Sequence, residues 1–210
     1  MKICIIGDGL TSLALAKALV NQNIYVEILS DKKKQIIDQS RTIGITKSNV
    51  EYFNKNIINI DKITWKINKI KIYSEKSNQQ SLLEFQNNNL ELFSMVRSSD
   101  LYNILEKSLR SNKLFKRKKQ KSIKNLQNKY DLLINLNFTN IISKKFFSKK
   151  IIKKYKSSAH TVILKHEKIN NKVACQIFTK IGPLAFLPIS NTETSIVYSI
   201  KNSANVKKEN

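Results

Sequence analysis

The hydrophobic pattern of the chain is clearest in its first thirty residues. Ile3-Cys4-Ile5-Ile6 is a short unbroken apolar run. Such a run suits a parallel strand, which is covered on both faces and need not alternate. A turn with two glycines follows, Gly7-Asp8-Gly9, and then Leu13, Ala16, Leu19 and Val20 recur at helical spacing. That spacing gives a helix one face to pack on a sheet. A second apolar run from Ile24 to Leu29 closes the segment. Strand, glycine turn, helix and strand are thus predicted in that order.

Beyond this unit the pattern loosens. Residues after Leu29 are polar, with Asp31 and three lysines, and read as a loop. SRTIGI (Ser40 to Ile45) precedes a helix-like stretch from Ser48 to about Ile58. Ile63 to Tyr73 alternates apolar and polar residues, which predicts one half-exposed, antiparallel strand. A short strand is expected around Leu82 to Phe85. From Ser98 a helix is expected with Leu101, Ile104, Leu105 and Leu109 on one face and Ser98 or Ser99 as its cap. Residues 111 to 129 are basic and read as irregular, and Tyr130 to Leu136 reads as another buried strand. The last third holds four strand-like runs: His160 to Lys165, Val173 to Lys180, Ala185 to Ile189 and Ser195 to Ile200. They are joined by turns at Asn170-Asn171, Gly182-Pro183 and Ser190-Asn191, which predicts a small antiparallel sheet. The fold class expected is α/β, a Rossmann-like unit with an interleaved, mainly antiparallel β region.

The first unit points to a dinucleotide. Gly7 and Gly9 let the backbone turn sharply and approach a pyrophosphate, and the helix N-terminus then faces that phosphate. Ser12 stands where the third glycine of G-x-G-x-x-G would be, small enough for close helix–strand packing. The acidic residue that holds the ribose should close the second strand. That place falls on Ser30, with Asp31 one residue later as the candidate acid.

Composition changes this picture only in part. The chain of 210 residues is 41% hydrophobic and carries a formal net charge of +23. Lysine, asparagine and isoleucine are spread along the whole chain. The densest basic cluster, Lys116 to Lys121, fits a solvated loop, an anionic membrane surface or a nucleic acid. No aromatic residues interleave it and no nucleic-acid-binding motif accompanies it, so nucleic acid is not expected as a partner. Cys4 and Cys175 sit in apolar stretches as free buried thiols, and neither they nor His160 and His166 carry metal-ligand spacing. No metal site is predicted. No acid–base pair and no activated nucleophile stands out, so no side chain is predicted to be catalytic. With no apolar run of about 18 residues, the protein reads as cytoplasmic.

Four segments together resemble the class A flavoprotein aromatic hydroxylases, most closely the FAD-dependent monooxygenases of ubiquinone biosynthesis. They are the N-terminal glycine unit, SRTIGIT with Arg41, VRSSDLYNIL with Arg97, Leu101 and Leu105, and QIFTKIGPLAFLPISNTETSIVYSI. The last is the most specific, with Gly182, Pro183, Leu184, Ala185, Leu187, Pro188, Ser195 and Val197 on the family pattern. The resemblance implies FAD as cofactor, held by Gly7, Gly9, Ser12, Asp31, Arg41 and Arg97, and NAD(P)H as reductant. It implies hydroxylation of a hydrophobic, polyprenylated phenol. It also implies peripheral contact with the inner membrane surface and membership of a ubiquinone-biosynthesis protein complex. An FAD-binding region is expected over 1–146, with an inserted β segment around 60–92. The start of an antiparallel β substrate domain is expected over 147–210.

The chain departs from the family at two points besides Ser30. Asn135-Leu136-Asn137-Phe138 stands where the family has G-A-D-G, and the later G-D motif does not occur by Asn210. The chain is therefore read as the N-terminal part of such an enzyme, inactive in this short form. The alternatives are a non-catalytic flavoprotein-like remnant or partner-binding protein, or an NAD(P)-binding enzyme of another kind.

Overall fold

The computed structural model describes residues 1–30, 38–76, 80–86, 90–119, 126, 128–137, 141–146, 149, 151–153 and 155–201. The strands, in chain order, are β1 (Lys2–Ile6), β2 (Tyr25–Ser30), β3 (Thr42–Thr46), β4 (Thr64–Ile67), β5 (Lys69–Ser74), β6 (Leu83–Gln86), β7 (Phe93–Arg97), β8 (Phe115–Lys119), β9 (Leu132–Asn135), β10 (Ser157–Lys165), β11 (Val173–Phe178), β12 (Pro183–Pro188) and β13 (Glu193–Lys201). The helices are α1 (Leu10–Asn21), α2 (Lys47–Asn56), α3 (Ser98–Arg110) and α4 (Ile141–Phe146). The chain forms two compact units. One comprises Met1–Asp38, Glu51–Lys62 and Ser98–Ile151; the other comprises Gln39–Val50, Ile63–Arg97 and Ile152–Asn210.

The first unit is an α/β layer structure. Its sheet is wholly parallel in the order β8-β2-β1-β9. The apolar character of these strands follows from this placement, since Ile3 to Ile6 on β1 and Val26, Ile28 and Leu29 on β2 are buried on both faces of the sheet. Helices α1 and α3 pack together, burying Leu13, Ala16 and Val20 of one and Leu101, Leu105 and Leu109 of the other. Against the opposite face, Cys4, Ile6 and Leu29 form a cluster with Leu126 and Ile142, on which Tyr130 and Leu133 pack.

Two expectations about this unit are corrected. Residues 115–119, expected to be irregular, form β8 beside β2. Their charges hid the strand, because an edge strand with Lys116, Arg117, Lys118 and Lys119 exposed has no apolar period to read. The expected buried strand near 130–136 is instead the shorter β9, at the other edge of the sheet, with Leu132 43% exposed.

A buried carboxylate sits within the sheet. Glu27 on β2 is 0% exposed and is reached by Lys118 Nζ at 2.5 Å and Lys2 Nζ at 3.7 Å. In a parallel sheet, Lys2 and Lys118 flank that position on the same face as Glu27. The lysine stems cover the carboxylate while their heads remain accessible to water.

The second unit is built of two sheets. One is the antiparallel trio β3-β7-β4; the other is six-stranded in the order β10-β13-β12-β11-β5-β6. All of the larger sheet's pairs are antiparallel except β11 with β5. The four strands expected in the last third are β10 to β13. The single strand expected over Ile63 to Tyr73 is corrected. It divides at Asn68, whose N–H donates to Lys172 O at 3.0 Å, so β4 joins the trio and β5 the larger sheet. The alternation runs on through the break, and periodicity alone cannot reveal a change of sheet. Between the sheets Ile67, Met95 and Ala174 are buried, with Trp65, Ile70, Phe93, Leu187 and Ile189 packed on them. Among the described residues no helix is long and apolar enough to cross a membrane.

The GPLAFLP segment owes its glycine to close packing. A Cβ on Gly182 would lie 1.9 Å from the backbone oxygen of Ser199 on β13. No side chain fits there unless the strand moves. Gly182→Ala is expected to lower stability by about 1–3 kcal/mol or more, the cost of overpacking, measured by denaturant unfolding. An unchanged midpoint would show that β13 yields freely. For Glu27, replacement by leucine of similar volume is expected to leave the melting temperature unchanged or raised, whereas Lys118→Ala lowers it by stranding the carboxylate. The reverse order would show that the ion pair itself holds the sheet.

Candidate dinucleotide-binding site

The carboxyl end of β1 carries the glycine turn. Gly7 has φ +113, a backbone conformation that residues with a Cβ rarely adopt, and its N–H donates to Leu29 O at 2.9 Å. Its space is also limited, since an added Cβ would meet Ser12 Oγ at 3.4 Å and the Leu136 and Asn137 backbone at 3.5 and 3.6 Å. Ser12 is 2% exposed and packs beneath the turn, the part expected of a small third residue.

Gly9 differs from Gly7. It is the N-cap of α1 in an extended conformation, φ −74 and ψ 178, which any residue can adopt. An added Cβ there would meet nothing within 4 Å. The folded chain thus has no steric need of a glycine at this position. The start of α1 has no side-chain cap and no acidic residue in its first turn, and the leading N–H groups of a helix have no partner within it. Open space over a glycine, beside uncapped N–H groups at the positive end of a helix, fits an approaching pyrophosphate.

Asp8, between the glycines, accepts a hydrogen bond from the hydroxyl of Ser30, the last residue of β2. The parallel register, Ile6 beside Leu29, is what brings Asp8 to Ser30. Asp31 lies outside the described residues. The turn after β9 packs on Gly7 and ties itself together. Asn135 Nδ2 donates to Ser143 Oγ at 2.7 Å, Asn137 N–H donates to Asn135 Oδ1 at 3.1 Å, and Ser143 Oγ donates to Asn137 O at 3.3 Å. This is the segment that departs from G-A-D-G; Phe138 lies outside the described residues. Behind the turn, burial first and then the Glu27 charge push the Cys4 thiol up to about 12, so it is no nucleophile at neutral pH.

Arg41 and Arg97 belong to the second unit. Thr42 pairs with Arg97 in the β3–β7 ladder, so both arginines lie at the same end of it. Arg41 is exposed. Arg97 Nη2 donates to Glu193 Oε2 at 2.6 Å, and Thr42 Oγ1 donates to Ser195 Oγ at 2.9 Å. SRTIGIT, the Arg97 end of VRSSDLYNIL and the last motif segment thus meet within this unit. Glu193 gave no signal in the sequence beyond its place in a turn. A second hub joins the β10–β11 and β12–β13 connections. Asn171 Nδ2 donates to Ser190 O at 2.9 Å and to Thr194 Oγ1 at 2.9 Å, and Trp65 Nε1 donates to Asn171 O at 2.6 Å. His166 Nε2 lies 3.0 Å from the same threonine hydroxyl. Polar groups in turns carry no periodic signal, so the spacing of residues does not disclose this hub.

No protein-family model and no curated protein sequence matches the chain. Solved structures share its fold. PqsL of Pseudomonas aeruginosa, described as a probable FAD-dependent monooxygenase, superposes with a TM-score of 0.73 at 10% identity over 96% of this chain and 60% of its own. HpxO of Klebsiella pneumoniae, solved with FAD and uric acid, gives 0.75 at 11% identity over 99% and 58%. CtdE, solved with FAD and a substrate, gives 0.71 at 11% over 98% and 58%. The chain therefore has the fold of the corresponding parts of these proteins and spans about three fifths of their length.

The Cys4 thiol supplies a test of the packing behind the turn. Its folded pKa lies above the reference 9.0, so its contribution to stability is complete below about pH 9 and fades as pH rises towards 12. A thiol reagent at pH 8 is expected to leave Cys4 unmodified in the native protein and to label it in denaturant, as read by mass spectrometry. Rapid native labelling would contradict the buried placement of β1.

Proposed function

We propose that this chain is the N-terminal, flavin-binding part of an FAD- and NAD(P)H-dependent monooxygenase that hydroxylates a polyprenylated phenol in ubiquinone biosynthesis. The observation that carries the reading is Gly9, a glycine that the fold does not require and that a pyrophosphate would. The four motif segments and the shared fold of flavin-dependent monooxygenases support it. In this reading the backbone of Gly7 and Gly9 and the start of α1 receive the pyrophosphate, and Ser12 keeps α1 close to the sheet. The resemblance assigns Arg41 and Arg97 to the flavin as well; within the second unit Arg97 is oriented by Glu193. Bound FAD would supply the redox chemistry, in which two electrons from NAD(P)H and a proton let one oxygen atom of O2 enter the ring while the other leaves as water. The protein supplies orientation and a dry cavity.

The substrate class follows from the resemblance and agrees with the charge. A net charge of +23 favours an anionic lipid surface, where a polyprenylated phenol resides. In this reading the protein works in the cytoplasm, peripheral to the inner membrane and together with other proteins of the pathway. One observation favours the second reading, a non-catalytic flavoprotein-like remnant. The turn at Asn135–Asn137 satisfies its own polar groups beside Gly7, where the family carries G-A-D-G.

Gly9→Thr separates folding from binding. Threonine caps a helix about as well as glycine, so the melting temperature is expected to hold. FAD affinity, followed by flavin fluorescence, is expected to fall at least about tenfold, because even one lost 1.4 kcal/mol contact has that effect. Folded wild-type protein that retains no flavin at high added FAD would sink the flavin reading. Equal binding by the variant would remove Gly9 from the site.

A further inference from the structure

The dinucleotide fold asks for an acid at the carboxyl end of its second strand, where the ribose diol lies. Here that residue is Ser30, 4% exposed, and its hydroxyl is spent on the Asp8 carboxylate. Asp8 leaves β1 one residue after Gly7, and the parallel register sets the ends of β1 and β2 side by side. An acid from the glycine turn therefore stands within hydrogen-bond reach of the side chain that would ordinarily be acidic.

We propose that Asp8, oriented by Ser30, supplies the carboxylate that holds the adenosine ribose diol of the bound dinucleotide. This rests on the flavin reading above and assigns to Asp8 the role that the sequence suggested for Asp31. The chemistry suits it. A carboxylate has two oxygens and about four lone-pair positions; the Ser30 hydroxyl takes one on Oδ2 and leaves capacity for two diol protons. Ser30 is a positioning residue, fixing the rotamer of Asp8 before ligand arrives. Asp8 is half-buried, so the bonds it makes are partly shielded from water and of the stronger, charge-assisted kind.

The competing role for an acid near a helix start is electrostatic support of the helix. The two roles differ in sign toward ligand. An acid that served only the helix would repel the pyrophosphate, and its removal would tighten FAD binding. An acid that holds the diol weakens binding when neutralised.

The test uses the full chain, with FAD followed by fluorescence, and ADP and 2′,3′-dideoxy-ADP compared by calorimetry. Wild-type protein is expected to prefer ADP over the dideoxy compound by about ten- to a hundredfold, the worth of hydrogen bonds to a charged group. Asp8→Asn is expected to weaken FAD by a similar factor and to erase the preference, with little change in melting temperature. Ser30→Ala is expected to reduce the preference in part, which a general loss of structure would not do selectively. Asp31→Asn is expected to keep it. Unchanged or tighter FAD binding by Asp8→Asn, or loss of the preference in Asp31→Asn alone, overturns the assignment. So does a wild type that binds FAD yet treats both nucleotides alike, and there the flavin reading survives. A folded wild type that binds neither FAD nor ADP defeats both.

Discussion

Strand β1 is hydrogen-bonded on both edges, to β2 and to β9, and its apolar side chains are buried on both faces of the sheet. Its backbone and side chains are thereby committed to the core, and only its carboxyl end remains for chemistry. Every feature of the candidate site in the first unit follows from that confinement. Gly7 must reverse the chain within hydrogen-bond distance of Leu29, α1 must begin three residues later, and Asp8 must emerge beside the end of β2. A parallel sheet collects strand ends on one side, and the glycine turn adds a helix start to that collection.

The motifs that made the chain legible divide into two kinds. Gly182 permits the close approach of the chain entering β12 to Ser199 on β13, a requirement of backbone packing rather than of ligand. The segment most specific to the resemblance is thus architectural, which agrees with a fold shared at about 10% identity. Gly9 is the opposite case, a small residue whose place the fold alone would leave to almost any side chain. Arg97 stands between the two: its fork is engaged by Glu193, yet it closes a strand whose partner carries Arg41 beside it.

What the sequence disclosed depended on how side chains report their surroundings. Ile3 to Ile6, the Leu101–Leu105–Leu109 face and the four strands of the last third were readable because burial selects apolar residues at fixed periods. Strand β8 was not, since four of its five residues are charged and exposed, and its pairing with β2 is made by backbone groups. The break at Asn68 was not, because alternation continues while the partner strands change. Asp8 with Ser30, Arg97 with Glu193, and the Asn171 hub were invisible for a common reason. A hydrogen bond between residues distant in the chain leaves no mark on the spacing of either.

The two edges of the parallel sheet are unlike. On β8, Lys116, Arg117, Lys118 and Lys119 succeed one another; Arg117 and Lys118 are held by Glu106 and Glu27, and a second such strand laid alongside would still meet the charges of Lys116 and Lys119. The β9 edge, Leu132-Leu133-Ile134-Asn135, carries no formal charge. The sheet therefore has a polarity of growth: a neighbouring strand is repelled on one flank and electrostatically tolerated on the other. In a chain this basic, the direction in which the sheet can be extended is fixed by where the lysines are, with no block to pairing required at β9.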